Sequence, residues 1–357
     1  MATAEVFDQA RAEAFAGQML GVLNGASLAA MASIGHQTGL FDTMATLPAA
    51  TCEHIAAAAG LNERYVREWL GAMVTGKIVD YDPAVKTYSL PAEHATCLTR
   101  AAGPDNLAFF TQYFSLMGQV EQQVVESFRN GGGVPYSAYP RFQELQAEET
   151  ARVYDATLID VTLPLVPGLV ERLQDGIEVL DIGCGGGHAV NLMARAFPRS
   201  TFRGYDMSEE GVAAARAEAQ RWGLSNAHFD VKDVATLDET ERYGLITAYD
   251  VIHDLAQPAK VLGAVAAALH PDGTFLMIDI AASSNLEENL DHPLGPTLYT
   301  FSVTHCMTVS LAQHGAGLGT VWGEQTARRM LADAGFTQVE VKQVPGDILN
   351  NYDIATR

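Results

Sequence analysis

The sequence predicts an α/β protein: a mostly parallel sheet covered by helices in the C-terminal half, preceded by a mainly helical unit. Three observations predict it. From Gly176 onward, strand patterns and helix patterns alternate, which is the order of a parallel sheet with crossover helices. The first of those strands runs directly into a glycine-rich turn and a helix. The first ninety residues instead read helix, turn, helix and hairpin, the order of a winged helix.

The N-terminal part is expected to span 1–95. A long helix pattern runs from about Glu5 to Gly39. Within it, the apolar stretch Gly21–Leu40 is interrupted by Asn24, Ser27, Ser33 and His36, which reads as a buried helix and not a membrane span. Thr51 and Asn62 are placed to cap two short helices, the first stopped by Gly60. Val66, Trp69, Leu70 and Met73 share one face of the second. Ile78–Tyr81 and Thr87–Leu90 flank Asp82-Pro83-Ala84 as the arms of a hairpin.

A DNA-binding winged helix needs unpaired cations. Between Gly60 and Leu90, Arg64, Arg67, Lys77 and Lys86 are balanced by Glu63, Glu68, Asp80 and Asp82. A packing or dimerisation module is the better reading, and a homodimer through the Ala-rich first helix is expected. A second part, 96–175, is helical and is expected to cover a site. It contains a helix pattern from Asp105 to Phe128, a Gly/Pro loop at 130–140 and a further helix from Phe142 to Ile159.

Composition narrows the partners. The chain has 357 residues, is 48% hydrophobic and 18% charged, and carries a formal net charge of −21. That is enough apolar material for a large core, and a field that repels nucleic acid and anionic membranes. The partner expected is a small molecule. Four scattered cysteines, with no Cys-x-x-Cys pair, exclude a disulfide framework and fit a reducing, cytoplasmic setting. The acidic start, with Glu5 and Asp8, lacks the cations of a signal peptide.

The cofactor site is expected at Asp181-Ile-Gly-Cys-Gly-Gly-Gly187. Glycines suit a tight strand-to-helix turn that lets a ligand approach the backbone. The dinucleotide fingerprint Gly-x-Gly-x-x-Gly fails here: counted from Gly183, its last position is His188, and counted from Gly185 it is Val190. The pattern present, Asp-x-Gly-x-Gly-x-Gly, resembles the cofactor signature of class I S-adenosylmethionine-dependent methyltransferases.

That resemblance implies a Rossmann-like, seven-stranded methyltransferase sheet over 176–357. It implies S-adenosylmethionine as cofactor, contacted by Asp181, Gly183, Gly185, Gly187, Asp206, Met207, Asp233, Val234 and Asp250. Asp206 ends the second strand and would accept from the ribose hydroxyls. Asp233, in Phe229-Asp-Val-Lys-Asp-Val234, would take the adenine amino group. Tyr249-Asp250 ends the fourth strand, beside the methionine half.

The next segment, Asp250-Val-Ile-His253-Asp254-Leu255, resembles the His-Asp-Trp segment of small-molecule O-methyltransferases that carry an N-terminal winged helix, with Leu255 in place of Trp. It implies that His253, beside Asp254, removes the proton of an acceptor hydroxyl. The alternatives are His253 as a strand-end cap, S-methylation of a small thiol or sulfide, a cofactor-binding transcriptional regulator, or a nicotinamide oxidoreductase. An insertion at about 283–323 is too long for a simple connection and is expected to wall the acceptor. There Val303–Ala312 reads as a helix, with Ser302, His305 and Cys306 near one face. Tyr299, Ser302 and His305, with Phe110 and Tyr136, are the acceptor candidates, and Cys306 is expected to be simply buried. His253, Asp254, His305 and His314 match no familiar metal spacing, so no metal is expected.

Overall fold

The computed structural model describes residues 7–357, and Glu5 lies outside them. The chain forms two compact units, one ending at Ser115 and the other beginning at Leu116.

In the N-terminal unit, helix α1 (Gln9–Gln37) starts on Asp8, whose side chain accepts from Arg11 N. It meets α2 (Leu40–Thr46) at Gly39, which takes the left-handed conformation. Helices α3 (Cys52–Ala59) and α4 (Glu63–Thr75) are capped by Thr51 and Asn62. Strands β1 (Asp80–Asp82) and β2 (Thr87–Ser89) form the antiparallel wing with Tyr81 opposite Tyr88. Phe41, Ile55, Val66, Trp69, Leu70 and Met73 make the core, and Trp69 Nε1 donates to Met31 O at 2.8 Å. On α4, Arg64 and Arg67 are paired with Glu68 and Glu63.

The expectation that Gly21–Leu40 is a buried helix is corrected. Burial begins only at Ala32, while Phe15, Leu20, Val22 and Leu23 are all more than half exposed. An apolar segment signals that something must cover it, not that its own chain does. Helix α1 is also long and apolar enough to cross a membrane. The single helix expected over Asp105–Phe128 is two, α5 (Leu107–Gly118) and α6 (Glu121–Asn130), interrupted at Gln119 and Val120.

The C-terminal unit continues with α7 (Phe142–Thr157), which ends in a wide π-helical turn, Leu158–Thr162. Its sheet contains β3 (Glu178–Ile182), β4 (Thr201–Asp206), β5 (Ala227–Val231), β6 (Tyr243–Tyr249), β7 (Leu269–Ile280), β8 (Gln338–Lys342) and β9 (Asn350–Thr356) in the order β5-β4-β3-β6-β7-β9-β8. The first five are mutually parallel, and β9 runs antiparallel between β7 and β8.

Alternate strand residues feed two cores, as the pleat requires. Leu180, Ile246, Phe275 and Met277 join one, with α10 (Pro258–Ala268) and α13 (Gly323–Asp333). Val179, Leu245 and Leu276 join the other, with α8 (His188–Ala196) and α9 (Glu209–Arg221). Strand order reverses between β3 and β6, so the crevice at their carboxyl ends is the place for a ligand.

The insertion is longer in helix than expected. Helix α11 (Gly295–Phe301), a π-helical turn (Ser302–Cys306) and α12 (Met307–Ala312) run on continuously.

Candidate active site

The glycine turn sits at the carboxyl end of β3. Gly183 N and Cys184 N donate to Tyr205 O, and Gly185 N donates to Asp206 Oδ2 at 2.8 Å. Gly187 has φ 69°, and a Cβ there would run into Ala215 and Phe229. Only glycine lets α8 start so close to the sheet. Gly185, at φ 50°, differs: a Cβ would meet nothing within 4 Å, so its outer side faces open space. The turn is tight on the protein side and accessible on the other, as a cradle for a ligand must be.

Three carboxylates lie at or just past the carboxyl ends of β4, β5 and β6. Asp206 is half-buried, and its second oxygen accepts from Ser208 N at 2.7 Å. Each oxygen keeps a lone pair for a ligand hydroxyl. Asp233 is exposed and caps the turn after β5 through Ala235 N. Asp250 is exposed at the end of β6 with φ 54°, a strained conformation for a residue other than glycine, of the kind found at functional sites. Met207 is 62% exposed beside Asp206, while Val234 packs into the core. Asp181 is buried, takes Thr247 Oγ1 at 2.7 Å, and has its pKa pushed up to about 7 by burial. It ties β3 to β6 beneath the turn.

His253 lies just beyond β6 and is 3% exposed. Its Nδ1 is 2.7 Å from Asp279 Oδ1 at the end of β7, and its Nε2 is 3.3 Å from Asp254 Oδ1. Asp279 Oδ1 also accepts Trp322 Nε1 at 3.0 Å and Ile280 N at 2.8 Å. Burial opposes a charge on His253, but Asp279 and Asp254 outweigh it and hold its pKa well above the ordinary histidine value. The loop carrying His253 is pinned by the insertion: Gly319 N donates to His253 O, Ala316 N to Ala256 O, and Ser310 Oγ to Leu255 O.

Facing Asp254 is an aromatic group. Tyr136 OH donates to Asp254 Oδ2 at 3.0 Å. His305 stacks on Phe142 at 4.4 Å and meets the edges of Tyr136 and Tyr139. Burial lowers its pKa, and its buried Nε2 has no hydrogen-bond partner. Cys306 joins His253 and Asp254, and burial pushes its thiol up to about 11.

The structure thus brings His253, Asp254, Tyr136 and His305 together. Tyr299 is 38% exposed and takes Asn289 Nδ2 at its hydroxyl. Ser302 is buried in the π turn, close to Gly319. Phe110 belongs to the N-terminal unit, its ring 5.7 Å from Phe109. His314 is exposed, and Cys306 takes its place in the histidine and carboxylate cluster. Sequence reasoning missed Asp279, Trp322 and Phe142. The position of Asp279, an acid ending the fifth strand of the alternating series, was the available signal.

Residues 26–100 match the family described as the Rv2258c-like winged HTH domain, and 173–335 match the methyltransferase domain family. Ubiquinone biosynthesis O-methyltransferase of Actinobacillus pleuropneumoniae is 33% identical over 125 residues, covering 33% of this chain and 53% of that protein. The same-named protein of Coxiella burnetii is 29% identical over 50% of this chain and 75% of its own length. The chain thus spans only about half the length of the first of these relatives.

The fold as a whole is similar to human N-acetylserotonin methyltransferase, solved with SAM (TM-score 0.69, 18% identity, 99% of each chain). It is also similar to mitomycin 7-O-methyltransferase (TM-score 0.72, 17% identity, 98% of this chain and 100% of that one). With a winged helix-turn-helix domain before a methyltransferase domain on a seven-stranded sheet, the chain belongs to the class I methyltransferases that carry an N-terminal winged helix.

Proposed function

We propose that the protein methylates a hydroxyl of a small molecule, with S-adenosylmethionine as methyl donor and His253 as general base. The observation that carries this reading is the buried His253–Asp279 pair, placed at the same sheet edge as the open glycine turn. When bound, S-adenosylmethionine supplies a methyl group on a sulfonium sulfur, which leaves as a neutral thioether.

The Gly183–Gly187 turn, Asp206, Met207, Asp233 and Asp250 would hold the cofactor, with Asp181 supporting the turn and Val234 the floor. With Nδ1–H given to Asp279, the neutral ring carries its lone pair on Nε2. Because the two carboxylates raise the pKa of His253, only the deprotonated fraction acts as base, and the rate should climb as pH rises. Nε2 takes the acceptor's hydroxyl proton as the oxygen forms its new bond to carbon. The imidazolium so formed lies between Asp279 and Asp254 and is stabilised by both. Tyr136 OH fixes Asp254. His305, Tyr136, Tyr299 and Phe142 supply a largely aromatic wall, which suits a flat, weakly polar acceptor.

The test is product analysis with labelled cofactor against phenols, carboxylic acids and thiols. Methylated phenol lost in His253→Ala supports the reading. Thiol methylation that survives in that variant overturns it in favour of S-methylation, since a thiol needs little help from a base.

We also assign the exposed apolar face of α1 to a homodimer, because Phe15, Leu20, Val22 and Leu23 have no cover in their own unit. Four free cysteines fit a reducing, cytoplasmic setting.

A further inference from the structure

A ring nitrogen of His253, a carboxylate oxygen of Asp254 and the thiol of Cys306 lie within 4.8 Å of one another. Nε2 is the nitrogen left over, because Nδ1 is held by Asp279. Two ligands about 2.0 Å from a tetrahedral zinc ion stand about 3.3 Å apart, and His253 Nε2 is 3.3 Å from Asp254 Oδ1. Nitrogen, oxygen and sulfur together form a donor set for zinc.

The surroundings also fit. A metal-bound histidine usually gives its other N–H to a carboxylate that fixes ring and tautomer, and Asp279 stands there, itself anchored by Trp322 and Ile280. Asp254 Oδ2 is held by Tyr136 OH, which leaves Oδ1 buried without a hydrogen-bond partner beside the imidazole. Among the described residues no Lys or Arg pairs with Asp254 or Asp279, so the cluster carries negative charge that only histidines offset. Cys306, half-buried at the π turn, closes the third side.

We propose that His253 Nε2, Asp254 Oδ1 and Cys306 Sγ form a site for a thiophilic divalent cation of the zinc class, whose occupancy removes His253 from its role as base. Binding stands on the donor geometry alone; the inhibitory consequence rests on the function proposed above.

The experiment uses the untagged, metal-stripped full chain. Zinc binding is measured by calorimetry, and cobalt(II) replaces zinc to report the ligand sulfur through thiolate-to-metal absorption. Expected are one tight zinc ion per chain and a thiolate band in the wild type. Cys306→Ser should abolish the band and weaken zinc by more than the roughly 10–100-fold of a lost outer partner. Asp279→Asn should weaken it about 10-fold through the orienting hydrogen bond.

Asp254→Asn serves as the second ligand variant if Cys306→Ser fails to fold, judged by circular dichroism. Equal zinc affinity in the wild type and the folded ligand variant, or a wild-type cobalt spectrum without the sulfur band, overturns the site. Methyl transfer, normalised to each variant's own metal-free rate, should fall with zinc occupancy in the wild type only. If zinc binds with the sulfur band and methyl transfer is unaffected, the inhibitory role is overturned while the site stands. If no acceptor is methylated at all, the function fails and the binding result is untouched.

Discussion

Asp279 Oδ1 stands 2.7 Å from His253 Nδ1, and the same oxygen takes the indole N–H of Trp322 and the backbone N–H of Ile280. Three donors on one buried oxygen leave the carboxylate no freedom to turn, so the imidazole plane is fixed by the end of β7. Two variants separate orientation from proton transfer. His253→Ala should lower kcat for a hydroxyl acceptor by about 10²–10⁴ with little change in KM for the cofactor. Asp279→Asn keeps an acceptor oxygen but loses the charge that stabilises the imidazolium, and should cost about 10² in kcat. Release of the demethylated cofactor, followed by chromatography, measures both. An Asp279→Asn enzyme as fast as the wild type would show that Asp279 only packs.

Much of this arrangement was legible in the sequence, for physical reasons. The central strands β3 and β6 and the later part of β7 are buried nearly throughout and read as largely apolar runs, so they stood out. Strands β4 and β5 were marked by their alternation with helices. The turn at Asp181–Gly187 announces itself because no other residue tolerates its geometry. Strand β9 was hidden: Asn350, Asn351 and Asp353 interrupt its pattern although the strand is largely buried. The His253–Asp279 pair was hidden for another reason. It joins a residue in the turn after β6 to one near the end of β7, and their meeting depends on the sheet order β3-β6-β7, which local periodicity does not contain. The π turn at Ser302–Cys306 shifts side chains around the helix relative to 3.6-residue spacing, which buried Ser302 and left Cys306 facing His253.

The glycine turn makes a prediction that distinguishes folding from binding. Gly187→Ala adds a methyl group into Ala215 and Phe229 at φ 69°. Overpacking costs about 1–3 kcal/mol and the left-handed backbone about 1–2 more, so thermal unfolding should shift down by several degrees. Gly185→Ala carries the backbone cost alone, because its methyl group meets nothing within 4 Å. Its effect should fall mainly on cofactor affinity, read by calorimetry with S-adenosylhomocysteine, as the methyl group would stand where the ligand approaches. Equal affinity losses in the two variants, once corrected for folded fraction, would contradict this division.

His188, the first residue of α8, predicts a pH effect. Its Nε2 is 3.0 Å from Asp155 on α7 and its Nδ1 3.1 Å from Glu218 on α9, so one imidazole ties three helices together. Burial opposes its charge, but Glu218 and Asp155 prevail and raise its pKa above the ordinary value. A raised pKa means that the folded state binds the proton more tightly. The stabilisation is therefore complete below about pH 6.5, the unfolded value, and is lost as pH rises through the folded pKa. His188→Gln should lower Tm by about 3 °C at pH 6, and the gap should narrow by pH 9. A gap that widens with pH would mean that the ring is held neutral.

The exposed face of α1 bears on assembly. Phe15, Leu20, Val22 and Leu23 are 55–63% exposed on a helix that packs against its own unit's core only from Leu28 onward. Burying each large side chain is worth about 1.5–3 kcal/mol, so a second copy of this helix has several kcal/mol to gain from covering them. The pair Leu20→Asp and Leu23→Asp puts two carboxylates on that face while leaving the core of the unit, Phe41, Trp69 and Leu70, untouched. Sedimentation velocity should show a wild-type dimer and a folded monomer for the double variant, with the circular dichroism spectrum unchanged. A wild type that is monomeric at all concentrations would sink the dimer, and a double variant that stays dimeric would move the interface elsewhere.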